Sequence, residues 1–394
     1  MKPSIETLLA HLGEDREQFH GAVVPPLYQN SLFTFKDWDD IDAAFEDSTG
    51  RPIYTRLTNP TTSVAEQKIA ALAGDGYHAR LTASGMAAVS SAILNVISPG
   101  DHIVAVKNVY GPTNNFINRY LREKMNVAVT FVPGDTLSGF KKAITGKTTL
   151  IILESPSSAI FGLQDISAVA QLAKSLGITT MIDNTWATPL YQKPLDMGVD
   201  IEVHSVSKYL GGHSDIVAGA IISSPGRIRS ITVNESELLG ATIAPFTSWL
   251  ITRSLRSLPM RLEFHQKNAM AVAEFLDRHP GVARVFYPGL PSHPQHDLAG
   301  KQMSGFTGLL SFRLASNDLD RIKTFFNSLE VFQIGVSWGG HESLIYAPAI
   351  SYLKELPPER FDDLGISLGD MRISVGLENV EDLIRDLSRA LEVL

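Results

Sequence analysis

The chain has 394 residues, of which 44% are hydrophobic and 19% charged, a composition typical of a globular protein with two domains. Its net charge of -8 at pH 7 comes without any basic cluster, which argues against a nucleic-acid-binding surface. It contains no cysteine, so disulfides, thiolate metal sites and a cysteine nucleophile are excluded.

Membrane proteins and metalloproteins are two further classes that we do not expect. No apolar run approaches the ~20 residues needed to span a bilayer, and neither terminus shows a basic-then-apolar leader. We therefore expect no membrane partner and a cytoplasmic location. Of the scattered histidines, His293 and His296 lie closest together, but their proline-containing segment predicts a loop without a third ligand.

The first part of the chain, residues 1–60, mixes turn formers with scattered aromatic residues and lacks sustained periodicity. This pattern predicts an extended N-terminal arm that ends at Asn59-Pro60. The next residues, Ser63-Val64-Ala65-Glu66, have the form of a helix capping box and precede apolar residues at helical spacing up to Gly74.

From residue 77, short segments rich in β-forming residues alternate with helical segments such as 166–176. Strands are predicted at 79–82, 102–106, 127–132, 149–153, 178–182 and 201–206. This alternation predicts an α/β fold with a mostly parallel sheet covered by helices on both faces. Such sheets bind ligands outside the carboxyl ends of their strands. Ser84, Asp183 and Lys208 each follow a predicted strand and can therefore converge.

After about residue 250 the pattern changes to that of a smaller α+β domain. A long helical stretch at 255–279 precedes predicted strands at 309–314 and 371–375 and predicted helices at 319–329 and 380–391. We therefore predict an arm at 1–60, a large α/β domain at 61–255 and a C-terminal domain at 256–394.

The segment around Lys208 contains groups suited to pyridoxal 5'-phosphate (PLP). Lys208 lies between Ser207 and a glycine pair and follows Ser205 and an apolar run. Its amine can form a Schiff base with an aldehyde, and the two hydroxyls can hold a phosphate. A lysine after a strand is more often a solvated surface residue, so other residues must supply the remaining contacts.

Two further segments fit the ring and the phosphate of such a cofactor. Asp183 ends a buried strand, where a carboxylate could keep a pyridine nitrogen protonated, although it could also be a turn or cap residue. Ser84-Gly85-Met86 opens a helix, whose N-terminal N–H groups and dipole favour a phosphate, although Ser84 could be only an N-cap.

Tyr110 and Arg372 could complete the site. Tyr110 lies between a strand and a helix, where its ring could stack on a planar cofactor or simply be half-buried in a loop. Arg372 interrupts an otherwise apolar strand. A buried arginine needs an anionic partner, which could be an amino-acid carboxylate or an internal salt bridge.

In order and spacing, these residues resemble the PLP-dependent enzymes of cysteine and methionine metabolism (the transsulfuration family). The resemblance covers nearly the whole chain and implies the aminotransferase-like architecture, fold type I. It is carried by Tyr54-Thr55-Arg56, Asn59-Pro60-Thr61, Ser84-Gly85-Met86, Tyr110-Gly111, Asp183-Asn184-Thr185, Ser207-Lys208-Tyr209, Gly212-His213-Ser214-Asp215, Tyr287-Pro288-Gly289-Leu290, Arg372 and Ser374-Val375-Gly376.

The resemblance implies that Lys208 carries PLP as an internal aldimine, that Asp183 pairs with the ring nitrogen and that Tyr110 stacks on the ring. The residues that it implies around the phosphate and the rest of the cofactor are Ser84, Gly85, Met86, Thr185, Ser205 and Ser207.

The resemblance also implies an oligomer. Tyr54 and Arg56 would reach the cofactor phosphate of the neighbouring subunit, so a dimer would share its active sites, and two dimers would form a homotetramer. For the amino-acid substrate, it implies that Ser337 and Arg372 bind the carboxylate.

Within the family, Ser337-Trp338-Gly339-Gly340 is similar to the cystathionine β-lyase branch, and Pro112 is consistent with that branch. The absence of cysteine is unlike methionine γ-lyases. Trp338 could also be a cavity wall residue with no influence on the reaction. Two positions depart from the family pattern: Ser158-Ala159 replaces an asparagine and a proline, and His341, which could contact a polar substrate tail, replaces an aromatic or aliphatic residue.

These observations predict a carbon–sulfur lyase that converts L-cystathionine, or a related S-substituted cysteine, to a thiol, pyruvate and ammonia by α,β-elimination. The alternatives are γ-elimination or γ-replacement on the same scaffold and a carbon–carbon bond-forming relative. A PLP-binding regulator is a further alternative, but such a protein would not need the carboxylate-binding arginine.

Overall fold

A computed structural model describes residues 3–355, 361 and 365–394 of the chain. The larger of its two sheets contains seven strands: β1 His78–Thr82, β2 His102–Val106, β3 Ala128–Val132, β4 Thr148–Glu154, β5 Thr179–Asp183, β6 Ile201–Ser205 and β7 Gly219–Ser223. Their order across the sheet is β1-β7-β6-β5-β4-β2-β3. Only β7 runs antiparallel to its neighbours, so the sheet is mostly parallel, as predicted.

The smaller sheet contains five strands from the C-terminal part of the chain: β8 Val282–Phe286, β9 Leu309–Leu314, β10 Gln333–Ile334, β11 Leu344–Tyr346 and β12 Asp370–Ser374. Their order is β10-β11-β12-β9-β8, and only the edge pair β10–β11 is parallel. The two sheets have separate clusters of buried apolar residues. The predicted domain limits at residues 60 and 255 stay predictions.

Helices cover both sheets and connect their strands. They are α1 Ile5–His11, α2 Trp38–Glu46, α3 Pro60–Ala73, α4 Gly85–Leu94, α5 Gly111–Asn115, α6 Arg122–Met125, α7 Leu137–Ala143, α8 Ile166–Ser175, α9 Thr188–Tyr191, α10 Pro225–Ile231, α11 Glu237–Leu239, α12 Pro245–Leu255, α13 Leu258–Arg278, α14 His296–Gln302, α15 Leu319–Ser328, α16 Ala349–Glu355 and α17 Val380–Leu391, with π-helical segments at Phe116–Leu121 and Thr232–Ser236. Within the described ranges, none of these helices combines the length and apolarity needed to cross a membrane.

The start of α3 corrects one sequence-based prediction. The helix begins at Pro60, and the Asn59 side chain caps it by accepting a hydrogen bond from the N–H of Thr61. The predicted capping box of Ser63 and Glu66 is wrong, because Glu66 instead accepts from the N–H of Leu81. Proline is preorganised for the first helical turn, so Asn59-Pro60 provides the stronger start signal. The predicted extended arm also contains two helices, α1 and α2.

The mostly parallel topology places several strand ends at one edge of the larger sheet. Glu154 and Asp183 are register partners at the carboxyl ends of β4 and β5. Ser205 ends β6, the next strand, and Thr82 ends β1. Because strand ends at this edge carry loops rather than helix faces, polar side chains can gather there without disturbing the apolar core.

A buried ionic cluster joins the N-terminal segment to the larger sheet's helices. The Lys68 side chain on α3 is fully buried, and its Nζ lies 3.0 Å from Glu14 Oε1. Lys68 also donates to the carbonyl of Leu9 at 2.6 Å, and Arg256 donates to the same Glu14 oxygen at 2.8 Å. Burial lowers the pKa of Lys68, which the Glu14 carboxylate opposes.

We expect Glu14→Gln to destabilise the folded chain by about 3–5 kcal/mol, because it leaves the buried Lys68 ammonium without its counter-charge. The midpoint of thermal unfolding, followed by circular dichroism, should fall. The exposed Glu17 provides the control, since Glu17→Gln should leave the midpoint unchanged. Equal midpoints for both variants would show that the hydrogen bond to the Leu9 carbonyl is enough to stabilise the buried Lys68 ammonium.

Candidate active site

A cavity of about 500 Å³ opens at the carboxyl edge of the larger sheet. Its walls come from residues at and after the ends of β1, β4, β5 and β6 and, on the other side, from residues 336–338, 342 and 372 in or near the smaller sheet. Ser84, Asp183 and Lys208, which are distant in sequence, all line this cavity.

Lys208 lies in a tight turn after β6. Its carbonyl accepts from the N–H of Gly212 at 2.7 Å. Gly212 has a φ of +65°, and a Cβ there would collide with the Arg261 guanidinium, so the turn requires glycine. Lys208 Nζ donates to Ser337 Oγ at 2.7 Å and lies 5.5 Å from the centre of the Trp338 ring.

The environment of Lys208 makes its amine reactive near neutral pH. Burial, assisted by the positive charge of Arg372, lowers the pKa of Lys208 to about 8. Only the neutral amine is a nucleophile or a base. Near neutral pH, the lowered pKa makes this form a larger fraction of Lys208 than of an ordinary lysine.

Asp183 is a partly buried carboxylate that a hydroxyl network holds in place. Its Oδ1 accepts from the N–H of Thr185 at 3.0 Å and from Thr185 Oγ1 at 2.5 Å. Thr185 Oγ1 in turn accepts from the N–H of Ser205 at 2.9 Å. Burial raises the pKa of Asp183, although the hydrogen bonds from Thr185 oppose this. A cation in the cavity would restore the ionised form.

A second carboxyl group, Glu154, lines the cavity beside Asp183. Its Oε2 accepts from the N–H of Tyr110 at 2.7 Å, and its Oε1 accepts from Ser158 Oγ at 2.5 Å. Burial and the nearby charge of Asp183 raise the pKa of Glu154 to about 8. Sequence reasoning assigned no role to Glu154, and Ser158, one of the departures from the family pattern, uses its hydroxyl proton to bind it.

The residues predicted around a phosphate meet where α4 begins. Ser84 is the N-cap of α4 and accepts from the N–H of Ala87 at 3.0 Å, which leaves its hydroxyl hydrogen free to donate. A Cβ on Gly85 would lie 2.9 Å from the Cβ of Ser205, so glycine is needed for this close approach. Ser207 Oγ is already engaged, since it accepts from the N–H of Ala218 and donates to its carbonyl.

Tyr110 and Arg372 also line the cavity. Tyr110 precedes α5, its side chain is about half exposed, and burial together with the charge of Asp183 raises its pKa. Arg372 lies on β12, where it donates to the Val336 carbonyl at 2.5 Å and its guanidinium lies 5.1 Å from the centre of the Tyr346 ring. Among residues 3–355, 361 and 365–394, no carboxylate forms an ion pair with Arg372, so the internal salt bridge is not observed.

Three predicted site residues do not line this cavity. The Tyr54 side chain is 43% exposed, and the Arg56 guanidinium lies 5.3 Å from the centre of its ring. His341 is also exposed, with its Nδ1 3.2 Å from Glu342 Oε2. The roles predicted for Tyr54 and Arg56 in a neighbouring subunit, and for His341 in substrate binding, stay predictions.

A buried polar network below Asp183 escaped the sequence-based analysis. His204 Nε2 lies 2.7 Å from Glu202 Oε1, and the same oxygen accepts from Asn184 Nδ2 at 2.7 Å. The signal was present in β6, where Glu202 and His204 alternate with apolar residues. Side chains at alternate positions share one face of a strand, so two polar residues there indicate a buried network. Neither this network nor any other group of histidine and acidic side chains in the described chain could bind a metal ion.

Comparisons with known proteins agree with this architecture. A model of the family described as Cys/Met metabolism PLP-dependent enzyme matches residues 6–392. The chain belongs to this family. It is 39% identical to an L-methionine gamma-lyase of Fusobacterium nucleatum and 38% identical to a cystathionine beta-lyase of Coxiella burnetii, and each alignment covers 99% of this chain and 98% of the relative.

A solved structure shows the same fold. The crystal structure of cystathionine gamma synthase from Xanthomonas oryzae pv. oryzae, in complex with aminoacrylate and cysteine, matches with a TM-score of 0.92 and 34% sequence identity. The match covers 100% of this chain and 99% of the other. The predicted fold type I architecture is thus confirmed, and the family relationship confirms PLP as the cofactor.

The residues of the cavity fit PLP. The Lys208 amine, with its lowered pKa, suits the aldehyde, and the Asp183 carboxylate suits a protonated ring nitrogen. The start of α4, where Gly85 leaves room beside Ser205, suits the phosphate.

We expect the rate at which the PLP-free protein captures PLP to rise with pH, with a midpoint at a pH of about 8, because only neutral Lys208 can attack the aldehyde. Rapid-mixing absorbance measurements would give the midpoint. Arg372→Leu should move it upward, since the guanidinium helps to lower the lysine pKa. A wild-type midpoint near the ordinary lysine value of 10.5 would contradict this description of Lys208.

Proposed function

We propose that this protein is a carbon–sulfur lyase that cleaves L-cystathionine, or a related S-substituted cysteine, by α,β-elimination. One water molecule would be consumed, and the products would be a thiol (homocysteine from L-cystathionine), pyruvate and ammonia. One observation carries the proposal: a lysine amine with a lowered pKa shares a cavity with a partly buried carboxylate and with an arginine that has no carboxylate partner in the described part of the chain.

When bound, PLP condenses with amino groups and withdraws electrons from the Cα of an amino acid. Asp183 would hold a proton on the ring nitrogen, and Arg372 would bind the substrate carboxylate with Ser337. The Lys208 amine, oriented by its hydrogen bond to Ser337 and by the Trp338 ring, would remove the Cα proton.

The departing sulfur needs a proton, and two groups could supply it. Lys208 carries the proton that it has taken from Cα. Tyr110 faces the same cavity, and its raised pKa keeps the phenol protonated. We propose that one of these groups protonates the thiolate as the Cβ–S bond breaks.

We further propose that the chain works as a homo-oligomer. Tyr54 and Arg56 lie outside their own cavity, and Tyr54 is exposed. Both would be available to reach the cofactor phosphate of a neighbouring subunit. A dimer would then be the smallest active unit, and a tetramer of two dimers is the assembly that we propose.

The second candidate is γ-chemistry in the same cavity. The relatives support it as directly as they support β-elimination, because a methionine gamma-lyase and a cystathionine beta-lyase are equally covered at 39% and 38% identity. Trp338 contacts Lys208 and Tyr209 and so forms part of the wall around the reactive amine. Its position is compatible with both reactions.

Incubation of the PLP-loaded protein with L-cystathionine should release pyruvate and homocysteine, identified by mass spectrometry. Lys208→Ala should abolish turnover and the visible absorbance band of the lysine-linked cofactor, because the variant lacks both the attachment point and the base. Release of 2-oxobutyrate and cysteine instead would show that the protein catalyses γ-elimination and not β-elimination. Normal turnover by Lys208→Ala would refute the role of the lysine.

Arg372→Leu should chiefly raise the Michaelis constant for the amino acid, by roughly ten- to a hundredfold, because a charge-assisted hydrogen bond to the substrate carboxylate is lost. Steady-state kinetics of pyruvate release would separate this effect from a change in kcat. Arg284 has an exposed side chain outside the cavity, so Arg284→Leu is a suitable control. An unchanged Michaelis constant would show that Arg372 has a structural role.

A further inference from the structure

The cavity rim contains a polar pair that the proposed mechanism does not use. Ser214 lies on the loop after Lys208 with a φ of +56°, and its Oγ donates to Glu342 Oε1 at 2.5 Å. Both residues line the cavity. The bond connects the loop that carries the reactive lysine to the segment that carries Ser337.

The direction of this hydrogen bond determines what Ser214 can bind. A serine hydroxyl has one hydrogen and two lone pairs, and the hydrogen of Ser214 is committed to Glu342. The oxygen can therefore offer only lone pairs to a molecule in the cavity. The negative charge of the carboxylate behind it makes the oxygen a stronger acceptor.

The Glu342 carboxylate lies between the hydroxyl of Ser214 and the imidazole of His341. Its Oε2 is buried and accepts no hydrogen bond, while the imidazole of His341 lies 3.2 Å away on the outer side. A Cβ on Gly340 would lie 2.5 Å from this oxygen, so the glycine makes room for the carboxylate. In the part of the chain that the structure describes, no lysine or arginine forms an ion pair with Glu342.

The cavity lining therefore contains two polar groups of opposite preference. Arg372 suits a carboxylate, whereas Ser214 with Glu342 suits a hydrogen-bond donor or a cation. Val217 and Val336, which also line the cavity, are exposed apolar residues near Ser214 and Ser337 in sequence. A substrate held by its α-carboxylate at Arg372 would present its side chain to the remaining polar lining, which includes Ser214.

We propose that Ser214, polarised by Glu342, accepts a hydrogen bond from an ammonium group on the departing arm of the substrate. The preferred substrates are then S-substituted cysteines whose sulfur substituent carries an amino group, rather than simple S-alkyl cysteines. This inference rests on the proposed lyase function, and it assigns Ser214 and Glu342 to substrate selection.

The test compares L-cystathionine with S-methyl-L-cysteine, which has no amino group beyond the sulfur. For the holoenzyme, kcat/KM comes from pyruvate release, and a spectral titration gives the dissociation constant of each amino acid. Wild type should prefer L-cystathionine. In Ser214→Ala, the ratio of the two kcat/KM values should fall roughly tenfold, as expected for a lost hydrogen bond to a charged group. Glu342→Gln should change the ratio in the same direction by a smaller factor.

Ser138→Ala removes an exposed hydroxyl on α7 and is the matched control, for which the ratio should not change. Glu342→Gln guards against misfolding of Ser214→Ala, since it leaves the loop sequence intact. A ratio that stays constant in both variants would overturn the role of Ser214. If the wild type releases no pyruvate, the lyase proposal fails, while the ratio of dissociation constants still decides whether Ser214 selects the amino group.

Discussion

The candidate site depends on the burial of two carboxyl groups at the ends of adjacent parallel strands. Glu154 and Asp183 are register partners, so the fold itself fixes their proximity. Neither has a lysine or arginine partner within the described ranges, and burial raises the pKa of both. Hydrogen bonds from hydroxyl and N–H donors offset part of the desolvation cost of these carboxyl groups, notably from Thr185 to Asp183 and from Ser158 to Glu154. A positively charged ring nitrogen would relieve the remaining cost, so cofactor binding and folding are linked at this edge.

The same strand edge determines the chemistry of Lys208. Its turn follows directly from β6, and the close approach of Gly85 to Ser205 brings the start of α4 beside it. The smaller sheet then closes the other side of the cavity with Ser337, Trp338 and Arg372. The positive charge of Arg372 also lowers the pKa of the lysine. A carboxylate bound at Arg372, as proposed for the substrate, would therefore also change the pKa of the amine.

Sequence reasoning found the residues whose type conflicts with their position. Asp183 ends an apolar strand, Arg372 interrupts one and Lys208 closely follows one, and such residues are readily noticed. Ser214 and Glu342 could not be paired in this way, because 128 positions separate them and both occur in ordinary loop contexts. The capping box failed because two start signals compete at α3, and β7 was missed because it is a short strand of five residues that begins at a glycine, a residue that weakens a strand pattern. The helices α1 and α2 are short and flanked by turn formers, so their periodicity is weak.

The hydrogen bond between Lys208 and Ser337 bears on how such a site can diversify. Lys208 lies in the turn that follows β6 of the larger sheet, whereas Ser337, its hydrogen-bond acceptor, belongs to the segment beside the smaller sheet. The contacts proposed for the cofactor come mostly from the former, and the carboxylate contacts proposed for the substrate come from the latter. Substitutions between residues 336 and 342 would therefore change the proposed substrate contacts without rebuilding the side of the cavity proposed for the cofactor. This separation of the two proposed sets of contacts offers a physical reason why relatives of nearly equal sequence identity are named for different reactions.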